Sequence, residues 1–343
     1  MTDINNLVRE NVKALIPYSC ARDEFKGKDG IFLDANENPY GSQNRYPDPY
    51  QRVLKAAISK IKCVPEENIF LGNGSDEIID LCFRIFCNPG SDKALTFSPT
   101  YGMYEVSAAI NDVETIKIPL TDDFQIDTKS VLRTLKDPAL KLVFICSPNN
   151  PTGNSMRNSD IESIIRNFNG IVVLDEAYND FSEQQSYRTV INLYKNLIVM
   201  QTFSKAMGLA AARVGMAFMD TSLVSYFNKM KPPYNISTIN QKAALKCLTR
   251  IELLKNTVSL IKTERERLAN ELEKIQIIEK VFPSDSNFLL VKTANADLIY
   301  SELIDNKIIV RNRNKIVPGC IRITVGTKKE NSKLLGALQK IKI

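Results

Sequence analysis

The chain has 343 residues, a formal net charge of +6 and no histidine, with 44% hydrophobic and 24% charged residues. That balance belongs to a globular protein large enough for about two domains and excludes a disordered chain. The absence of histidine removes serine–histidine and cysteine–histidine nucleophile systems and histidine-ligated metal sites, so acid–base work falls to Lys, Asp, Glu, Tyr or a cofactor.

Basic residues are interleaved with acids rather than gathered in one stripe, so no nucleic-acid partner is expected. No run approaches the roughly 18 apolar residues of a membrane span, and the start, MTDINNLVRE, has neither a basic region nor an apolar signal core. No membrane association and a cytoplasmic location are expected. Seven cysteines without one C-x-x-C pair indicate neither a disulfide framework nor a zinc ribbon, and no metal is expected.

Apolar runs at 69–71, 142–146, 171–174 and 197–200 predict strands buried on both faces, each ending in polar residues. From residue 61 onward they alternate with amphipathic stretches, the pattern of βα units around a mostly parallel sheet. Ligands of such sheets bind beyond the carboxyl ends of the strands, here the loops 72–77, 147–153, 175–178 and 202–205. Past Pro232 and Pro233 a long charge-rich helical stretch, about 239–275, leads to short strands at 287–292, 308–311 and 321–325. The expected fold is α/β: a large domain over 41–234, and a smaller α+β domain formed by 235–343 together with the N-terminal segment 1–40.

Gly72, Asn73 and Gly74 lead from the first strand into an amphipathic helix, with Ser75 as the expected N-cap. Free N–H groups and the helix dipole at Ser75, Asp76 and Glu77 suit a phosphate, although a capped turn without a ligand has the same pattern. In the run from Ser147 to Gly153, two prolines bracket Asn149 and Asn150, which predicts a rigid loop presenting an amide at a strand end. Asp175 stands at the tip of an interior strand, where a solitary charge is costly to desolvate, so it should have a cationic partner. A protonated pyridine nitrogen would serve, and an internal salt bridge is the alternative. Lys205, trapped between two apolar runs, is placed where a lowered proton affinity would let it form a Schiff base with an aldehyde and shuttle a proton.

The ordered set GNGSDE, SPTYGMY, SPNNPTG, LDEAY, TFSKAMGLAAARVG and IRITVGT resembles the fold type I, class II aminotransferases, whose large domain is aspartate-aminotransferase-like. Within them it is most similar to the family that acts on histidinol phosphate, from RENVKALIPY to the last helix. The resemblance implies pyridoxal 5'-phosphate as cofactor, with Lys205 as its covalent anchor, Asp175 at the pyridine nitrogen, and Asn150 and Tyr178 at the ring hydroxyl. Tyr101 would stack on the ring. Ser75, Asp76, Ser204 and Arg213 would hold the phosphate, joined by Tyr46 from a second subunit, which implies a homodimer. Tyr18, Asn36, Arg311 and Arg322 would bind substrate.

The implied reaction is a ping-pong transamination between histidinol phosphate or imidazole-acetol phosphate and 2-oxoglutarate or glutamate, in L-histidine biosynthesis. Two guanidiniums suit it, because each can grip carboxylate or phosphate as a fork. An aromatic amino acid aminotransferase or a threonine-phosphate decarboxylase of the same fold is the open alternative, decided by the pocket around Tyr18, Asn36 and Arg311. A non-catalytic regulatory module would require Lys205 or Asp175 to be missing, and both are present. The segment between Pro39 and Arg45 is short for the family, and Ser75 stands where alanine is common. Cys20, close to Tyr18, is expected to make the site sensitive to oxidation.

Overall fold

The computed structural model describes residues 3–18 and 30–341. Seven strands form the larger sheet: β1 (Ile69–Gly72), β2 (Lys93–Ser98), β3 (Glu114–Pro119), β4 (Leu140–Cys146), β5 (Ile171–Asp175), β6 (Leu197–Thr202) and β7 (Gly215–Phe218). Their order is β1-β7-β6-β5-β4-β2-β3. Parallel pairing runs from β6 through β5, β4 and β2 to β3, and β7 alone runs against its neighbours.

The middle strands are apolar at successive positions because both faces are covered. Val143, Ile145, Val172 and Leu174 belong to one buried cluster, packed under the helices Arg52–Lys62 and Asn158–Asn167. Leu142, Phe144, Ile171 and Val173 belong to the other, packed under the helices Ser75–Phe86 and Thr221–Met230. A second, antiparallel sheet has the order β10-β11-β9-β8, with β8 (Ile278–Val281), β9 (Phe288–Thr293), β10 (Arg311–Asn312) and β11 (Cys320–Thr324). Its own core joins Leu268, Ile299, Ile321 and Leu335 from three helices and β11.

The packing corrects several expectations. Ile4, Val8 and Val12 bury into the core of the large sheet, as do Ala244 and Leu248 on its other face, so the large body draws on residues outside 41–234. The stretch 239–275 is two helices, Thr238–Leu248 and Ile251–Leu272. They part where the Thr249 hydroxyl bonds the Lys246 carbonyl at 2.8 Å, a local side-chain alternative to the helix ladder. The strand expected over 308–311 is confined to Arg311–Asn312. Ser75 is the first helical residue rather than the cap; Gly74 takes the cap position at φ +77, a conformation that glycine alone adopts without cost.

Candidate active site

β1, β4, β5 and β6 end along one edge of the sheet, and the segments leaving them line a cleft of about 400 Å³ to which the β10–β11 hairpin also contributes. The cleft gathers Ser75, Asp76, Tyr101, Asn150, Asp175, Tyr178, Ser204, Lys205, Arg213, Arg311 and Arg322, eleven of the fourteen residues singled out from sequence. Parallel strands place the loops after β1, β4, β5 and β6 at one edge, which is why Ser75 and Lys205, about 130 positions apart, line the same cleft.

Asp175 is the last residue of β5 and only 3% exposed. The Tyr104 hydroxyl donates to its Oδ2 at 2.7 Å and the Ala177 N–H to its Oδ1 at 3.0 Å. Tyr104 is itself held by ring stacking on Phe144 at 4.9 Å. Burial pushes the carboxyl above its ordinary range, the two hydrogen bonds oppose that, and the Lys205 charge opposes it least. Among the described residues, no basic side chain forms an ion pair with Asp175, so the internal salt bridge is not what holds it.

Lys205 follows β6 and lines the cleft with its Nζ 5.6 Å from the centroid of the Tyr178 ring. Burial lowers its proton affinity, reinforced by the Arg322 charge and opposed by Asp175. The Asn150 amide donates to the Tyr178 hydroxyl at 3.4 Å, while Arg322 donates to the Asn150 carbonyl oxygen. Arg322 also lies 5.1 Å over the Phe288 ring, which joins β9 to the site.

The cleft also joins a glycine turn, a helix start and an arginine. Gly74 lets the chain turn where a Cβ would run into the Arg213 guanidinium, and a Cβ on Gly215 would fall 2.5 Å from the Ser75 nitrogen. Both glycines therefore allow the first turn of the Ser75–Phe86 helix to approach Arg213 and β7 closely. Arg213 donates to Asp76 at 3.0 Å, and the Tyr101 hydroxyl donates to the other Asp76 oxygen at 3.3 Å. Ser204 is fixed by the Thr202 hydroxyl, which accepts from the Ser204 N–H at 3.1 Å.

Tyr18, Asn36 and Tyr46 lie outside this cleft. Tyr18 is 72% exposed, and Asn36 and Tyr46 line a separate pocket with Ser237 and Thr238, where Tyr46 stacks on Tyr234 at 4.4 Å. Cys20 lies outside the described residues. Tyr104 and Arg313 escaped the sequence reading. Tyr104 had a signal, since it lies only three residues after Tyr101, across the start of a helix, and its ring meets that of Tyr101 edge-on at 5.5 Å. Arg313 had one too, two residues after Arg311 in a strand-like stretch.

A family model described as aminotransferase class I and II matches residues 28–338. The chain belongs to this aminotransferase family. A histidinol-phosphate aminotransferase of Cytophaga hutchinsonii is 49% identical over 343 residues, covering 98% of each chain. The histidinol-phosphate aminotransferase of Clostridium acetobutylicum superposes with a TM-score of 0.80 at 26% identity, over 87% of this chain and 90% of that one. That of Sinorhizobium meliloti, solved in complex with pyridoxal-5'-phosphate, shares the fold with a TM-score of 0.78 at 23% identity, over 86% and 82%.

Class I and II aminotransferases depend on pyridoxal phosphate, and this cleft fits that group. It offers a buried carboxylate with no ion pair among the described residues, an amine of lowered proton affinity, and a glycine-cradled helix start beside an arginine. No helix among the described residues is long and apolar enough to cross a membrane, and no cluster of potential ligands there could hold a metal ion.

Proposed function

We propose that this chain transfers an amino group between histidinol phosphate and 2-oxoglutarate, giving imidazole-acetol phosphate and glutamate, in the L-histidine pathway. The observation that carries the reaction type is the meeting of Asp175, which forms no ion pair among the described residues, and Lys205 in one cleft. The substrate follows from full-length similarity to a histidinol-phosphate aminotransferase and from the arginines at the β10–β11 end.

Bound pyridoxal phosphate supplies an electron sink that makes breaking the substrate Cα–H bond feasible. The side chains do the rest. Asp175 holds the proton on the pyridine nitrogen, and Tyr104 and the Ala177 N–H keep the carboxylate aimed. Lys205 would hold the cofactor aldehyde. Its Nζ is uncharged at a lower pH than that of an ordinary lysine, so as a free amine it could take the Cα proton and return it at the other end of the transfer. Asn150 and Tyr178 grip the ring hydroxyl and Tyr101 covers the ring face. The N–H groups of Ser75 and Asp76, the Ser204 hydroxyl and Arg213 bind the phosphate. Arg311 and Arg322 would hold the substrate anion, the phosphate in one half-reaction and the two carboxylates of glutamate in the other, so the two substrates use one site in turn.

Tyr46 and Asn36, set apart from their own cleft, would complete the partner's in a homodimer, with Tyr46 reaching the cofactor phosphate and Asn36 and Tyr18 the substrate. The purified enzyme should form glutamate from histidinol phosphate and 2-oxoglutarate, and Lys205→Ala should lower the rate about 10³-fold or more. Retention of activity in that variant would refute the mechanism. Turnover of aromatic amino acids alone, or release of CO₂ from threonine phosphate, would keep the fold and replace the substrate.

A further inference from the structure

The β10–β11 hairpin carries more positive charge into the cleft than a two-arginine clamp. Arg311 lies directly across from Arg322 in the ladder, and Arg313 continues it, its N–H bonding the Cys320 carbonyl at 3.0 Å. Positions two apart on a strand share a face, as do cross-strand partners, so the three guanidiniums stand on one face, and all three line the cleft. The alternate residues point the other way. Asn312 and Asn314 each donate to Asp297 at 2.7 and 2.8 Å, and the Asn314 side-chain oxygen accepts from the Gly319 N–H at 2.7 Å. The hairpin is thus clamped to the Ala296–Asp305 helix on one face while the arginines are presented on the other.

Like charges set together on a strand face oppose folding, and here Arg322 alone is eased, by Asn150 and the Phe288 ring, among the contacts of the described residues. Among the described residues, none of the three arginines forms an ion pair. The Nε atoms of Arg313 and Arg322 are buried without a hydrogen-bond partner. Burial, together with the Arg322 and Arg311 charges, pulls Arg313 down to about 10. Such a cluster fits a ligand of more than one negative charge with several acceptor oxygens. A phosphate monoester near neutral pH gathers a charge of about −1.5 to −2 and three oxygens on one centre that three guanidiniums can converge on; the two carboxylates of glutamate are separate groups, each with one charge and two oxygens and each satisfied by fewer donors.

We infer that Arg313 is a specificity residue of this chain: it joins Arg311 and Arg322 only when the substrate anion is a phosphate dianion, and is left unengaged by the two carboxylates of glutamate. The inference rests on the proposed histidinol-phosphate reaction and assigns the division of labour within its anion site.

The test is a pair of half-reactions of the holoenzyme, one with histidinol phosphate and one with glutamate, with histidinol as the phosphate-free control. Arg313→Gln should raise KM for histidinol phosphate about tenfold or more, the worth of a charge-assisted hydrogen bond, and leave KM for glutamate within about twofold. Arg313→Lys should recover part of the loss. Wild-type KM for histidinol phosphate should rise as pH falls through the second phosphate ionisation near about 6, and this rise should flatten in Arg313→Gln. Equal losses toward both substrates, or none toward either, would overturn the inference. A wild-type enzyme that fails to prefer histidinol phosphate over histidinol would remove the substrate reading itself, an outcome visible before any variant is made.

Discussion

Asp175 concentrates the cost and the use of the site in one carboxylate. Burial raises its proton affinity in the folded chain, so the unfolded chain gives up that proton at lower pH. In the cofactor-free protein the penalty is absent below the ordinary carboxylate range, grows as pH rises toward the folded value, and is fully present above it. Cofactor-free Asp175→Asn should therefore melt about 2 °C or more above the wild type at pH 8, with the gap closing by about pH 3. The holoenzyme should show the reverse in function, with transamination falling about 100-fold or more once the ring nitrogen loses its charge partner. Thermal melts and steady-state rates check the two halves; a cofactor-free variant less stable than wild type at pH 8 would show that the carboxylate is not strained. Asp175 and Lys205 could be singled out from sequence because a charge that ends an apolar run, or is caught between two, is costly unless used. Tyr104, which orients Asp175, was not singled out, since a tyrosine inside a helical stretch reads as core, and this one is core at every atom but its hydroxyl.

At the scale of elements, the anion cradle depends on two glycines from different strands closing on one helix start. A methyl group on Gly215 would press on the Gly74 carbonyl carbon and the Ser75 nitrogen, backbone atoms that cannot swing aside. Gly215→Ala should weaken pyridoxal phosphate binding about tenfold or more while the far-ultraviolet spectrum stays that of the wild type, as read by cofactor titration. Unchanged affinity would mean that the helix start does not hold the phosphate. The same contrast separates legible elements from the rest. β4, β5 and β6 were readable because burial on both faces makes them continuous apolar runs. β3 alternates, with Ile118 buried between exposed Lys117 and Pro119 at the sheet edge, and β2 opens on a half-buried lysine and ends on an exposed serine. β7, Gly-Met-Ala-Phe, opens on the glycine that packs on Gly74, so its clearest feature belongs to the site rather than to the strand.

For the whole molecule, the separation of Tyr46 from its own cleft is what a shared active site requires. Mixing inactive Lys205→Ala with a Tyr46→Ala variant under exchange conditions should regenerate activity. Each hybrid dimer then contains one site with both residues intact, and at random exchange roughly a quarter of all sites are of this kind. Activity that stays at the sum of the two variants, in dimers shown to exchange, would place Tyr46 in a structural role. Sequence could assign Tyr46 only through family resemblance, because no local pattern announces a residue that acts in another subunit.

The central claim is that this cleft, loaded with pyridoxal phosphate on Lys205, takes the amino group of histidinol phosphate. One equivalent of histidinol phosphate should bleach the visible absorbance band of the holoenzyme in a single turnover, and 2-oxoglutarate should restore it. A band that ignores histidinol phosphate and bleaches with phenylalanine, or that persists in Lys205→Ala, would contradict the account.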